Sequence, residues 1–192
     1  MKQTVIIACS IFKNELNNTK NLGTIDIIYL DSMLHMVPDK LENSLTRLID
    51  KYKKHNIILL YGECYPGITE LEKNSNVYRV PGINCINITL ENKHYKKLRK
   101  DGAFILLNEW LKRWKEVFQE ELGFKNSANA TAFMQEMHSK VVYLDTGNEE
   151  IPFETLKEIS NYVGLPYSIE KTNAIILEDE INKAINYFKH AS

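Results

Sequence analysis

The strand-like runs of this chain are apolar along their length instead of alternating, and that restricts its fold more than any other feature. Thr4–Cys9 (TVIIAC), Asn56–Leu60 (NIILL) and Lys140–Asp145 (KVVYLD) carry hydrophobic side chains at consecutive positions. Successive strand residues point to opposite faces, so a run without alternation must be covered on both sides. Helix-like stretches separate these runs. The combination predicts an α/β fold: a three-layer sandwich with a largely parallel sheet and helices on both faces. At 192 residues the chain reads as a single α/β domain over 1–192, with a core that needs no staple.

Taken in order, the strands are Thr4–Cys9, Thr24–Leu30, Asn56–Leu60, Val77–Val80, Ala103–Leu107, Lys140–Asp145 and Tyr167–Lys171. Ser10 is placed to cap a short helix over Ile11–Thr19. Pro38 and Asp39 suit the first turn of a helix whose stripe is Leu41, Leu45, Leu48, Ile49 and Tyr52. His94–Lys100 reads as a polar helical piece. Asn108 is placed as the N-cap of an amphipathic helix carrying Trp110, Leu111, Trp114, Val117 and Phe118 and ending near Gly123. Further helices fall at Asn129–His138, at Phe153–Val163, stopped by Gly164 and Pro166, and at Glu178–His190.

The net charge of −1 provides no field toward nucleic acid or a membrane surface. Val5–Ala8 is too short for a signal-peptide core, and no apolar stretch approaches a membrane span, so the expected compartment is the cytoplasm. There the three cysteines are expected to be reduced.

Those cysteines share one kind of position. Cys9 ends the first strand; Cys64 follows Tyr61-Gly62-Glu63 at the end of the third; Cys85 follows Pro81-Gly82-Ile83-Asn84 at the end of the fourth. Open parallel sheets bind ligands beyond the C-terminal ends of their strands. Three thiols there could converge, and helix N-termini close by would favour their thiolates. The local C-x-x-C pairs of structural zinc sites are absent. Dispersed ligands fit an active-site metal: a four-iron, four-sulfur (4Fe-4S) cluster with one open iron, or Zn²⁺ with His35 or water as the fourth ligand. A metal-free cysteine nucleophile uses the same residues. The plain alternative is that each thiol is a small core side chain.

Other candidates flank this set. His35, near Asp31 and Asp39, is a candidate ligand or acid–base group, and Glu63 a candidate general base. Arg79 could bind an anionic substrate, and Trp110 and Trp114 with Arg113 could line a pocket, although tryptophans at helical spacing are commonly core. Asp145-Thr146-Gly147 forms another strand-end turn. His55, His94, His138 and His190 receive no role. Walker, G-x-S-x-G and H-E-x-x-H signatures are absent.

LHMVPDKL (Leu34–Leu41), LLYGEC (Leu59–Cys64), RVPGINC (Arg79–Cys85), NEWLKRW (Asn108–Trp114) and VVYLDTG (Val141–Gly147) together resemble a family catalogued as domain of unknown function 1638, from anaerobic bacteria and archaea. The resemblance spans nearly the whole chain. It implies that Cys9, His35, Cys64 and Cys85 occupy characteristic polar positions, with Ser10 where a glycine is typical. It also implies a setting in corrinoid-dependent methyl transfer. The partner would then be a small-molecule substrate, or a corrinoid or methyltransferase protein that this chain serves as a non-catalytic accessory.

Overall fold

Strand β1 (Thr4–Cys9) is central to a four-stranded sheet of order β2-β1-β3-β4, in which β2 is Asp26–Leu30, β3 Asn56–Leu60 and β4 Val77–Arg79. All three pairings are parallel; Val5 lies opposite Asp26 on one side and Ile57 on the other. The computed structural model describes every residue except 1, 20, 21, 24, 173, 174, 191 and 192. The expected strand start at Thr24 lies outside the described residues.

The apolar runs are covered as their composition requires. Val5–Ala8 and Ile57–Leu60 are buried completely or nearly so, and covering each larger aliphatic side chain contributes roughly 1.5–3 kcal/mol. Helix α1 is short (Lys13–Asn17). α2 (Pro38–Lys51) has Pro38 in its first turn and buries Leu41, Leu45 and Ile49. α3 (Cys85–Thr89) follows β4.

A second sheet has the order β5-β6-β7, again parallel, from Ala103–Leu106, Lys140–Asp145 and Tyr167–Lys171. Its helices are α4 (Asn92–Lys100), α5 (Asn108–Lys112), α6 (Ser127–Met137) and α7 (Phe153–Val163). Gly164 ends α7 with φ +66°, and a Cβ there would meet Thr131 Cγ2 at 2.4 Å, so glycine is required for both conformation and space. α8 (Ile175–His190) buries Leu177, Ile181, Ala184 and Phe188.

The α/β class with parallel strands and surrounding helices is what the chain adopts. Its strands are divided between two sheets, where one was expected. The chain correspondingly forms two compact units, Met1–Thr89 with Ala174–Ser192, and Leu90–Asn173. Among the described residues no helix is long and apolar enough to cross a membrane.

Two local expectations are corrected. The helix at Ile11–Thr19 is split into a 3₁₀ turn (Ser10–Phe12) and α1, and Ser10 caps neither; its Oγ accepts from the Ser32 amide at 2.9 Å. The helix expected after Asn108 breaks at Arg113, and Glu116–Glu121 forms a π-helical turn. Asn108 is not the cap. Leu107 occupies that position, and the Asn108 side chain donates to Glu149. The wider turn buries Val117 and Phe118 together, with Phe118 packed on Phe104 and Phe124.

Candidate metal centre

The order β2-β1-β3-β4 puts a topological switch point between β1 and β3, where chain connections leave in opposite directions and the loops part. Cys9 is the last residue of β1 and is buried, while Cys64, on the loop after β3, and Cys85, the first residue of α3 after the β4 loop, are half-buried. The three side chains meet. The Cys85 thiol is hydrogen-bonded with both Cys64 and Cys9, so Cys85 links the three.

Two loops hold this set, and their backbones touch. A Cβ on Gly62 would lie 2.2 Å from Asn84 Cα, so the approach exists only because residue 62 is glycine. The Glu63 amide donates to the Ile83 carbonyl at 3.0 Å, and the Cys64 amide turns back to the Gly62 carbonyl at 2.9 Å. Asn84 accepts from the Asn87 amide at 2.8 Å, and Asn87 accepts from the Ile83 amide at 3.2 Å; this reciprocal pair fixes the entry to α3 and with it Cys85. The Gly62 backbone hydrogen-bonds with both Cys64 and Cys85, favouring negative charge on either sulfur.

Arg79 joins the same two loops. Its Nη1 donates to the Tyr61 carbonyl at 3.3 Å and to the Gly82 carbonyl at 3.2 Å, and its Nε pairs with Glu72 at 2.5 Å. The side chain is only 9% exposed. The residue read as an anion binder therefore spends these donors as a buckle between the cysteine loops, and its charge also acts on Cys64.

The electrostatics reverse one expectation. Cys64 is pushed well up by its hydrogen bond with Cys85, then by burial and by the Cys85 charge, against smaller opposing effects of Gly62 and Arg79. For Cys85 the hydrogen bond from Cys64 acts downward, but the bond to Cys9, burial and the Cys9 charge outweigh it, leaving the thiol well above its ordinary value. The expected stabilisation by helix N-termini does not prevail, because α3 has five residues and crowded thiols resist a shared negative charge. A soft cation inverts that balance by neutralising all three at once. As they stand, among the described residues no group of three or more His, Cys, Asp or Glu is arranged around a metal position. Shared ligation would require the three sulfurs to face a common centre.

Tyr61, expected only as part of a turn, lies within reach of the charges of these thiols. It is 2% exposed, and its hydroxyl has no hydrogen-bond partner among the described residues. Burial, then the charges of Cys9, Cys85, Cys64 and Asp31, push its ionisation far up. The available sequence signal was a tyrosine closing a strand of otherwise aliphatic, fully buried residues.

The remaining candidates lie elsewhere. His35 sits in a 3₁₀ turn (Ser32–Met36) after β2, and its Nδ1 bonds with the Ser32 carbonyl. Glu63 is exposed. Trp110 belongs to α5 in the other compact unit. That unit has a groove of about 490 Å³ lined by Asn108, Lys112, Arg113, Trp114, Glu149 and Glu158 among others; the tryptophan on its wall is Trp114. The Lys112–Glu149 and Arg113–Glu109 ion pairs, at 2.6 and 2.9 Å, hold its charges.

A protein-family model described as "Protein of unknown function (DUF1638)" matches residues 29–181. The matched stretch contains Cys64 and Cys85 and begins after Cys9. No curated protein and no solved structure matches the chain.

Proposed function

Because the chain belongs to the DUF1638 family, whose model runs from the end of β2 into α8, we propose a shared metal-dependent role for its strand-end cysteines. Cys9, Cys64 and Cys85 bind one thiophilic centre, a 4Fe-4S cluster or a zinc ion. A fourth position stays open to a small anionic, sulfur-bearing or methyl-bearing substrate. The observation that carries this reading is that thiols from three separate strand ends interact at the β1/β3 switch point, two of them served by one backbone amide. Amide hydrogen bonds to sulfur are a principal means of tuning a thiolate-bound cluster. The raised thiols favour this reading over a metal-free nucleophile, which needs a thiolate without a cation.

In this reading Arg79 is a positioning residue for the two cysteine loops. His35 and Glu63, on loops at the C-terminal edge of the same sheet, are the candidate proton carriers. The setting is cytoplasmic and anaerobic, in corrinoid-dependent methyl transfer as the family resemblance implies.

Anaerobic purification followed by iron, sulfide and zinc analysis tests the proposal. A stoichiometric centre in the wild type, lost in Cys64→Ser and Cys85→Ser, is the expected result. Metal-free wild type, with the serine variants indistinguishable from it, overturns the proposal.

A second reading, an accessory protein for a corrinoid or methyltransferase partner, is favoured by Ile83. This residue is 53% exposed, two positions before Cys85. Capture of such a partner by a variant lacking all three cysteines would favour this reading over the first.

A further inference from the structure

Tyr61 is costly as it stands. A phenylalanine would fill the same space, yet this side chain carries a hydroxyl into the core and satisfies it with no described protein group. The hydroxyl lies close enough to Cys9, Cys64, Cys85 and Asp31 for their charges to act on it, and among the described residues it bonds none of them. Tyr65, four residues on, offers an internal comparison. Its hydroxyl is also buried and, among the described residues, unpartnered, but the charge acting on it is that of Glu42, and none of the cysteines.

We infer that the Tyr61 hydroxyl is the hydrogen-bond donor for an exogenous ligand at the open position of the three-cysteine centre. This rests on the metal reading above and deepens it by naming the ligand class. An O–H group donates to an acceptor, so the ligand presents a lone pair beside its metal-bound atom, as an anionic oxygen, nitrogen or sulfur donor does. A ligand offering only donors or a cationic group gains nothing from Tyr61. Buried away from water, the same bond is stronger than it would be at the surface.

The test uses the full chain loaded anaerobically with Co²⁺, whose thiolate charge-transfer absorption reports sulfur ligation, and titrated with azide as the anionic probe. Tyr61→Phe should keep stoichiometric cobalt and the charge-transfer band while binding azide about tenfold more weakly, the effect of one charge-assisted hydrogen bond. Tyr65→Phe should stay within about twofold of wild type, because the charge acting on its hydroxyl is that of Glu42 and of none of the thiols. Circular dichroism shows that both variants are folded. Equal azide affinity in wild type and Tyr61→Phe, with cobalt bound to both, overturns the role of Tyr61 and leaves the three-cysteine site standing. Absence of thiolate-bound cobalt in the wild type overturns both.

Discussion

Replacing Gly62 by alanine tests whether the contact between the two cysteine loops builds the site. The new Cβ would lie 2.2 Å from Asn84 Cα, 2.7 Å from its nitrogen and 2.8 Å from its carbonyl carbon. All three atoms are backbone, so no side chain can swing aside. Ordinary contact begins near 3.4 Å, so the loops must separate by 3.4 − 2.2 = 1.2 Å or more. That displacement stretches the Glu63–Ile83 hydrogen bond from 3.0 Å past its useful range and pulls the Tyr61 and Gly82 carbonyls off Arg79. Overpacking of this kind costs about 1–3 kcal/mol, and one lost hydrogen bond adds about 1 kcal/mol, giving about 2–4 kcal/mol in all. For a chain of this size that corresponds to a fall of roughly 4–16 °C in the thermal midpoint. Thermal unfolding followed by circular dichroism measures the loss. Alkylation of the native protein should show Cys64 and Cys85 reacting faster as the loops part. A midpoint within about 1 °C of wild type, with unchanged alkylation, would refute the claim that this contact supports the thiol set.

Tyr61→Phe should stabilise the metal-free protein by about 1–3 kcal/mol, because it deletes an unsatisfied buried hydroxyl and no packing; a destabilised variant in urea unfolding would show that the hydroxyl is satisfied in solution. Arg79→Lys replaces a fork that reaches two carbonyls and a carboxylate by a single ammonium, so it should cost about 2 kcal/mol and speed alkylation of Cys64 and Cys85; unchanged labelling would argue against the buckle. His138 is held below its ordinary value of 6.5, first by burial and then by the Arg99 charge, with the Gly102 backbone partly opposing. The unfolded chain then takes the proton more readily, so this residue's contribution is complete above pH 6.5 and diminishes as pH falls toward the lower folded value. An NMR titration placing the His138 midpoint above 6.5 would contradict that sign.

The uninterrupted apolar runs determined by themselves that this chain has parallel strands covered on both faces. Cys9, Cys64 and Cys85 could be assigned to strand ends because each closes or follows within five residues a strand-like run, and strand polarity then gives all three the same edge. Pro38 and Gly164 were legible for a similar local reason: each restricts or permits backbone angles whatever lies around it. Tertiary structure alone decided which strands are neighbours. Pairing is long-range, and the pattern of NIILL carries no record of whether TVIIAC or KVVYLD lies beside it, so the division into two sheets was not readable. Asn108 failed as a cap for the same reason, because its side chain found a partner 41 residues away in Glu149. At the site, the sequence supplied three thiols at one edge but not their ionisation. Helix termini favour thiolates, yet the crowding that raises Cys64 and Cys85 exists only once three loops converge. Tyr61 was hidden most completely, since a tyrosine at a strand end is ordinary until its hydroxyl is found buried, within reach of three thiol charges and unpartnered among the described residues.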